Sequence, residues 1–513
     1  MSDSRRPPGG RRCGVLFHPT ALPHSSACGT LGLEAHRWVE LLARHRVAVW
    51  QLLPLAPTDG TGSPYSSPSG FALNPWLLDP DQLVEVGALA PEDLQDLPRG
   101  RQDRLDLEVA PRRAAALAER LLARWPQQAA AQRQEFEHWR QQQAHWLVDH
   151  ARFMVLRQLH GQRPWWEWPA PVARRRLWAL ARFDRLQEAA LLREALVQWH
   201  LDRQWQRLHG HAQSHGVELV GDLPFYVAHD SADVWSNRHL FSVRSDGSLS
   251  EQSGVPPDYF SATGQLWGTP VYRWLWHRLS GFRWWMRRLD RQLELVDCLR
   301  LDHFRALEAY WSVPGSDTTA ETGHWRPSPG QSLLERLRRR RGGSLPLIAE
   351  DLGVITPGVE SLRDGFALPG MKILQFAFNG DQDNPYLPAN YVGTNWIVYT
   401  GTHDNATCIG WWQGLDDGQR HQVQEVLGEG MHAPGWQLLR LALNSSADLA
   451  IVPLQDLLLL DDGARFNTPG TVSGNWQWRM QQPIEELEGA LQGLEAFAAA
   501  AGRCAPTAGS AGG

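Results

Sequence analysis

Apolar residues along this 513-residue chain fall into eight short runs that begin near residues 14, 47, 217, 297, 345, 371, 396 and 449. Text with helical spacing separates most of them. The run VAVWQLLPLAP, opening at Val47, stays apolar without alternation until Pro54, the pattern of a parallel strand covered on both faces. Residues 33–46 place Trp38, Leu41 and Leu42 on one helical face. Eight strands alternating with helices predict an α/β fold, a TIM-type (β/α)8 barrel. From about 85 to 215 the text turns rich in Arg, Gln, Ala and Leu, and Trp139, Trp146 and Phe153 recur every seven residues on what reads as one helix face. This segment is expected to be a helical insertion. Further loop insertions are expected at about 225–275, including GVPPDYFSATGQLWGTPVY, irregular and aromatic, which reads as a lid over Pro256, Pro257, Asp258, Tyr259, Phe260 and Trp267. Residues 14–500 then form one catalytic domain, with disordered tails at 1–13 and 501–513.

Charge narrows the partners. A net charge of −6 and a pI near 6.4 leave no basic footprint for nucleic acid and no polybasic segment for a membrane surface. No run of 18 apolar residues spans a bilayer; the longest, 449–460, is broken by Pro453, Gln455 and Asp456. MSDSRRPPGGRR has charge but no apolar core, unlike a secretory signal. Five scattered cysteines, at 13, 28, 298, 408 and 504, suit a reducing compartment and offer no zinc-ligand spacing, so the cytoplasm is expected. No cofactor or metal is called for. Oligomeric state is not readable. The 26 tryptophans supply flat apolar faces for the core and, in a minority, for stacking on sugar rings.

In a barrel of this kind functional groups gather at the C-terminal ends of the strands. Asp222, Asp302, Glu350 and Asp404 all stand there. The stretch VDCLRLDHFRALEAY, 296–310, presents Arg300, Asp302 and His303 almost side by side, and strand alternation puts Arg300 and Asp302 on one face. The guanidinium is expected to keep Asp302 ionised. Glu350 lacks an adjacent cation in sequence, so burial is expected to keep it protonated. Two carboxyls in different protonation states are what glycosyl chemistry on a neutral hydroxylated substrate requires. The bland alternative is a structural Arg/Asp pair with capping aspartates, which does not account for four strand ends at once.

The strings HPTALPH, SPYSSPSGFALNP, GDLPFYV, GVPPDYFSATGQLWG, LRLDHFRALEAYW, LIAEDLGVITP, LPGMKILQFAF, GTHDN and NTPGTVSGNWQWR, in this order from about Gly14 to Arg479, resemble those of the 4-α-glucanotransferases called amylomaltases or disproportionating enzymes, glycoside hydrolase family 77. The resemblance implies an α-amylase-type barrel without a C-terminal β-sandwich domain, and transfer of α-1,4-glucan segments between maltooligosaccharides through a covalent glucosyl enzyme. It implies Asp302 as nucleophile, Glu350 as general acid and base, and Asp404 as the third carboxylate, holding sugar hydroxyls. Asp222, Arg300, His303 and His403 would surround the donor glucose, and Tyr65 would stack near the nucleophile. Trp267 and the Pro256–Gly264 loop would form the lid on the acceptor side, and Asn475 with Trp476 a late glucan contact. Two departures stand out. Ala406 follows GTHDN where many members carry an acidic residue, and TDGTG at 58–62 lacks a tyrosine that some members use for a secondary glucan site. Plain hydrolysis by the same residues, or a catalytically idle carbohydrate-binding barrel, are the rival readings.

Overall fold

The structure, a computed structural model, describes residues 10–257, 261–428, 434–471 and 473–504. Twelve strands follow in chain order: β1 Arg12–Leu16, β2 Val49–Gln51, β3 Glu218–Leu223, β4 Glu251–Val255, β5 Gln265–Pro270, β6 Cys298–Leu301, β7 Ala309–Pro314, β8 His324–Pro327, β9 Leu347–Ala349, β10 Gly370–Ile373, β11 Trp396–Tyr399 and β12 Leu449–Pro453. Eight of them make a parallel sheet in the order β10-β11-β12-β1-β2-β3-β6-β9. Its two edges meet where the Ala349 N–H donates to the Pro369 carbonyl at 2.9 Å, which closes the barrel. These are the eight runs expected from the sequence, and the fold is a TIM barrel. Their near-continuous apolar character reflects burial inside and out: Val15, Val49, Leu219, Leu299, Ala349, Ile373, Val398 and Ile451 are all buried.

Between β2 and β3 lie helices Val109–Arg124, Ala130–Gln142, Ala144–Leu159, Leu177–Leu186 and the long Glu188–Ser214. The aromatic stripe of this segment is buried, but not on one helix. The chain breaks at Gln143, so Trp139 ends one helix while Trp146 and Phe153 belong to the next. Gln143 departs from helical backbone, and its side chain accepts a hydrogen bond from Trp146 Nε1 at 2.7 Å.

The region read as an irregular lid carries regular structure. β4, β5, β7 and β8 form a second, antiparallel sheet in the order β5-β4-β7-β8. Gly254 makes the close crossing possible: a Cβ there would sit 2.3 Å from the Gln265 carbonyl oxygen. Pro256 and Pro257 follow β4 directly, whereas Asp258, Tyr259 and Phe260 lie outside the described residues.

The tail boundaries also shift. Arg12 and Cys13 belong to β1, paired with Leu449 and Ala450, and Cys13 is buried. Residues 501–504 pack as well. Fully buried Arg503 donates to the carbonyls of Arg12, Leu443 and Ser445. Short polar sequence gave no sign of these contacts, because Arg12 and Cys13 find their strand partners Leu449 and Ala450 more than 400 residues away. Residues 1–9 and 505–513 lie outside the described part of the chain.

Candidate active site

Register assembles the centre of the site. Asp222 on β3 pairs with Arg300 on β6, which in turn pairs with Ile348 on β9. Arg300 is buried, and its Nη2 donates to Asp222 Oδ2 at 2.7 Å and to Asp302 Oδ1 at 2.9 Å. Tyr65, from the loop after β2, donates its hydroxyl to Asp222 Oδ2 at 2.5 Å and lies 2.8 Å from His403 Nε2. Its ring stacks on His403 with centroids 5.3 Å apart. Asp302, Tyr65, His403 and Asp222 are thereby held around one guanidinium.

Glu350 is fixed from the neighbouring strand end. The backbone N–H of His303 donates to its Oε2 at 2.7 Å and that of Leu352 to its Oε1 at 3.0 Å. His303 has φ = 53°, the left-handed region that non-glycine residues seldom adopt. That conformation turns the amide following Asp302 towards Glu350. The two carboxyl groups are thus tied through consecutive residues of one turn, and the local strain sits where function concentrates. Asp404, in the turn beyond β11, is half-exposed. Its Oδ1 accepts from Asn467 Nδ2 at 2.7 Å and lies 3.4 Å from His403 Nε2.

The guanidinium of Arg300 is shared between Asp302 and the fully buried Asp222 carboxylate. Burial raises the Asp302 carboxyl to about 8; Arg300 opposes the rise, while the charges of Asp222, Glu350 and Asp404 add to it. Burial raises Glu350 as well, against Arg300 and the two backbone N–H groups. With both carboxyls raised and tied through one turn, the Asp302–Glu350 pair favours holding a proton. Burial lowers His303 to about 4 and lowers His403, so both imidazoles are neutral near pH 7.

Trp267 projects from β5 with its ring edge-on to His303, centroids 4.9 Å apart, and 37% exposed. Trp476 is buried behind Tyr65 and His403, at 5.7 and 6.0 Å between centroids. Asn475 is turned inward to its own loop, accepting from the Thr468 N–H at 2.9 Å and donating to the Thr471 carbonyl at 3.1 Å. Two contributors escaped the sequence reading. Asn467, which anchors Asp404, opens the same NTPG string that drew attention to Asn475. Tyr226, in GDLPFYV, lies beside both Trp267 and His303, at 5.9 and 6.2 Å.

The match to known proteins decides the family. Residues 17–485 match the glycoside hydrolase family 77 model, described as 4-alpha-glucanotransferase. The chain is a member of this family. Among curated relatives, a Synechocystis 4-alpha-glucanotransferase is 45% identical over 477 residues, covering 91% of this chain and 94% of that protein. The Thermus thermophilus 4-alpha-glucanotransferase is 42% identical, covering 92% and 95%. Among solved structures, the amylomaltase from Streptococcus agalactiae in complex with acarbose superposes with a TM-score of 0.92 at 34% identity, covering 96% of this chain and all of that one. The amylomaltase of Corynebacterium glutamicum, at 18% identity and a TM-score of 0.78, shares the fold. This family 77 enzyme is a 4-α-glucanotransferase.

Proposed function

We propose that this chain moves α-1,4-glucan segments between maltooligosaccharides by a retaining double displacement, with Asp302 as nucleophile and Glu350 as acid and base. The observation that carries the reading is the turn at His303, which joins a carboxylate facing a guanidinium to a carboxyl that meets only neutral N–H donors. We assign the proton of the pair to Glu350, because a proton on Asp302 would leave Arg300 with a neutral partner. Glu350 gives that proton to the glycosidic oxygen as Asp302 attacks the anomeric carbon, and the reducing-end fragment departs. The 4-hydroxyl of a second glucan then attacks the glucosyl ester, Glu350 takes its proton, and Asp302 is released. Asp404, held by Asn467, accepts hydrogen bonds from the donor sugar, while fully buried Asp222 acts by holding Tyr65 and Arg300 in place. His403 and His303 serve the same ring. Trp267 covers the acceptor side, and transfer exceeds hydrolysis insofar as that cover excludes water and holds the acceptor. Trp476 contributes by backing Tyr65, and Asn475 by shaping the late loop.

Acarbose, the ligand of the Streptococcus agalactiae structure, is expected to occupy this site as an inhibitor. A cytoplasmic location is supported by five free cysteines and by the lack, among the described residues, of a helix long and apolar enough to cross a membrane. The test is incubation with maltotriose alone and separation of products by length. Glucose together with a ladder of longer maltooligosaccharides is expected. Shorter products only would overturn transfer in favour of hydrolysis.

A further inference from the structure

Helix Arg283–Leu295, which leads into β6, buries two arginines, Arg288 and Arg291, each 2% exposed. Arginine is rarely buried without partners, so their contacts are informative. Arg288 donates Nη1 to the Phe225 carbonyl at 3.1 Å and Nη2 to the Pro224 carbonyl at 2.8 Å, with its guanidinium over the rings of Trp284 and Trp285. Pro224 and Phe225 lie just beyond Asp222, with Leu223 between. One turn later Arg291 Nε donates to the Phe71 carbonyl at 3.3 Å and Gln292 Nε2 to the Gly70 carbonyl at 3.1 Å. Gly70 and Phe71 belong to the loop that presents Tyr65. A single helix face therefore grips the backbones of two loops whose tips are joined by the 2.5 Å bond from Tyr65 to Asp222. The Gly70 N–H completes the grip by donating to buried Asp233 at 2.8 Å.

We propose that this face is a positioning device for the donor sugar, and that Arg288 is a positioning residue for transfer. It fixes the separation of the Tyr65 and Asp222 loops, and through their shared bond the place of Arg300 and Asp302. The inference rests on the catalytic reading given above. Two neighbouring carbonyls ask for the planar fork of arginine, which a lysine ammonium cannot reproduce. A narrow cavity of about 20 Å³ lined by Tyr65, Asp222, Arg288 and Gln292 leaves these groups room to move once the grip loosens.

The test is a double-mutant cycle on the full chain with Arg288→Lys and Tyr65→Phe, scored as kcat per folded molecule with maltotriose as donor and glucose as acceptor. Arg288→Lys alone is expected to lower kcat by about tenfold or more, since sub-ångström misplacement is costly, and to leave the KM for glucose unchanged. In the Tyr65→Phe background the same substitution is expected to cost less than about twofold, because its effect is routed through the bond already lost. An equal factor in both backgrounds would overturn the proposal, as would a lowered Tm with kcat per folded molecule intact. Should Arg288→Lys fail to fold, half-buried Gln292→Leu goes through the same cycle under the same criteria. Full transfer by Asp302→Asn would refute the catalytic reading instead, so the two failures are distinct.

Discussion

Replacing Arg300 by leucine tests the electrostatics of the site most directly. The substitution removes the only cation that touches Asp222 and Asp302 among the described residues, at 2.7 and 2.9 Å. The Asp222 side chain is fully buried and its Oδ1 has no hydrogen-bond partner, so without Arg300 the Tyr65 hydroxyl on Oδ2 is its one remaining donor. Removing one partner of a buried pair costs about 3–5 kcal/mol, because the other charge stays desolvated. That is a large share of a typical folding stability of about 5–15 kcal/mol. The sign with pH follows. Burial already raises the Asp302 carboxyl to about 8 against the opposing charge of Arg300, so without that cation the native variant binds the proton more tightly still, and the deficit is present above the raised pKa and shrinks as pH falls through it. For the same reason the acid limb of kcat/KM moves to higher pH. Urea denaturation at pH 7 and pH 5, with a pH profile of maltotriose transfer, measures both effects. A loss of under about 1 kcal/mol at pH 7, within the range of an exposed ion pair, together with the parent's acid limb, would refute the reasoning.

Two further outcomes are expected. Trp267→Ala should raise hydrolysis relative to transfer several-fold when free glucose and longer oligosaccharides are quantified together; the parent's ratio would remove Trp267 from the acceptor side. Buried His150, held down to about 4 by burial, stays neutral in the folded chain while the unfolded chain takes up a proton below about 6.5. Its contribution is present above that pH and lost as pH falls, so His150→Phe should spare about 2 kcal/mol of the destabilisation between pH 7 and 5 in urea titrations.

The barrel was legible because its strands are buried on both faces and their apolar runs need no alternation to be seen. The second sheet was not. EQSGV and HWRP, which form β4 and β8, carry charge, glycine and proline, and depend on pairing partners up to 63 residues away. Asp302, Glu350, Asp404, Asp222, Arg300, His303, His403 and Tyr65 converge because each sits at a strand end or in the loop beyond it, a placement that periodicity reveals. The sharing of Arg300 was hidden for a physical reason: adjacency shows Arg300 beside Asp302, while only the β3–β6 register shows that Asp222 claims the same guanidinium. Asp351 illustrates the reverse case. In sequence it is as well placed as Glu350, yet its carboxylate accepts from Arg363 and from the Met371 N–H, a structural task that only the closed barrel defines.

The pairing of β1 with both β2 and β12 has a consequence for biosynthesis. A nascent chain leaves the ribosome N-terminus first, so β1 emerges with β2 soon after it, but its other edge has no neighbour until residues 449–453 have been made. For most of translation that edge offers unpaired N–H and C=O groups, the kind of template on which chains associate wrongly. Premature termination anywhere before β12 would strand the ribbon in that state. The cellular yield of this enzyme should therefore depend on chaperone capacity during synthesis, while the completed ring, once closed, presents no such edge.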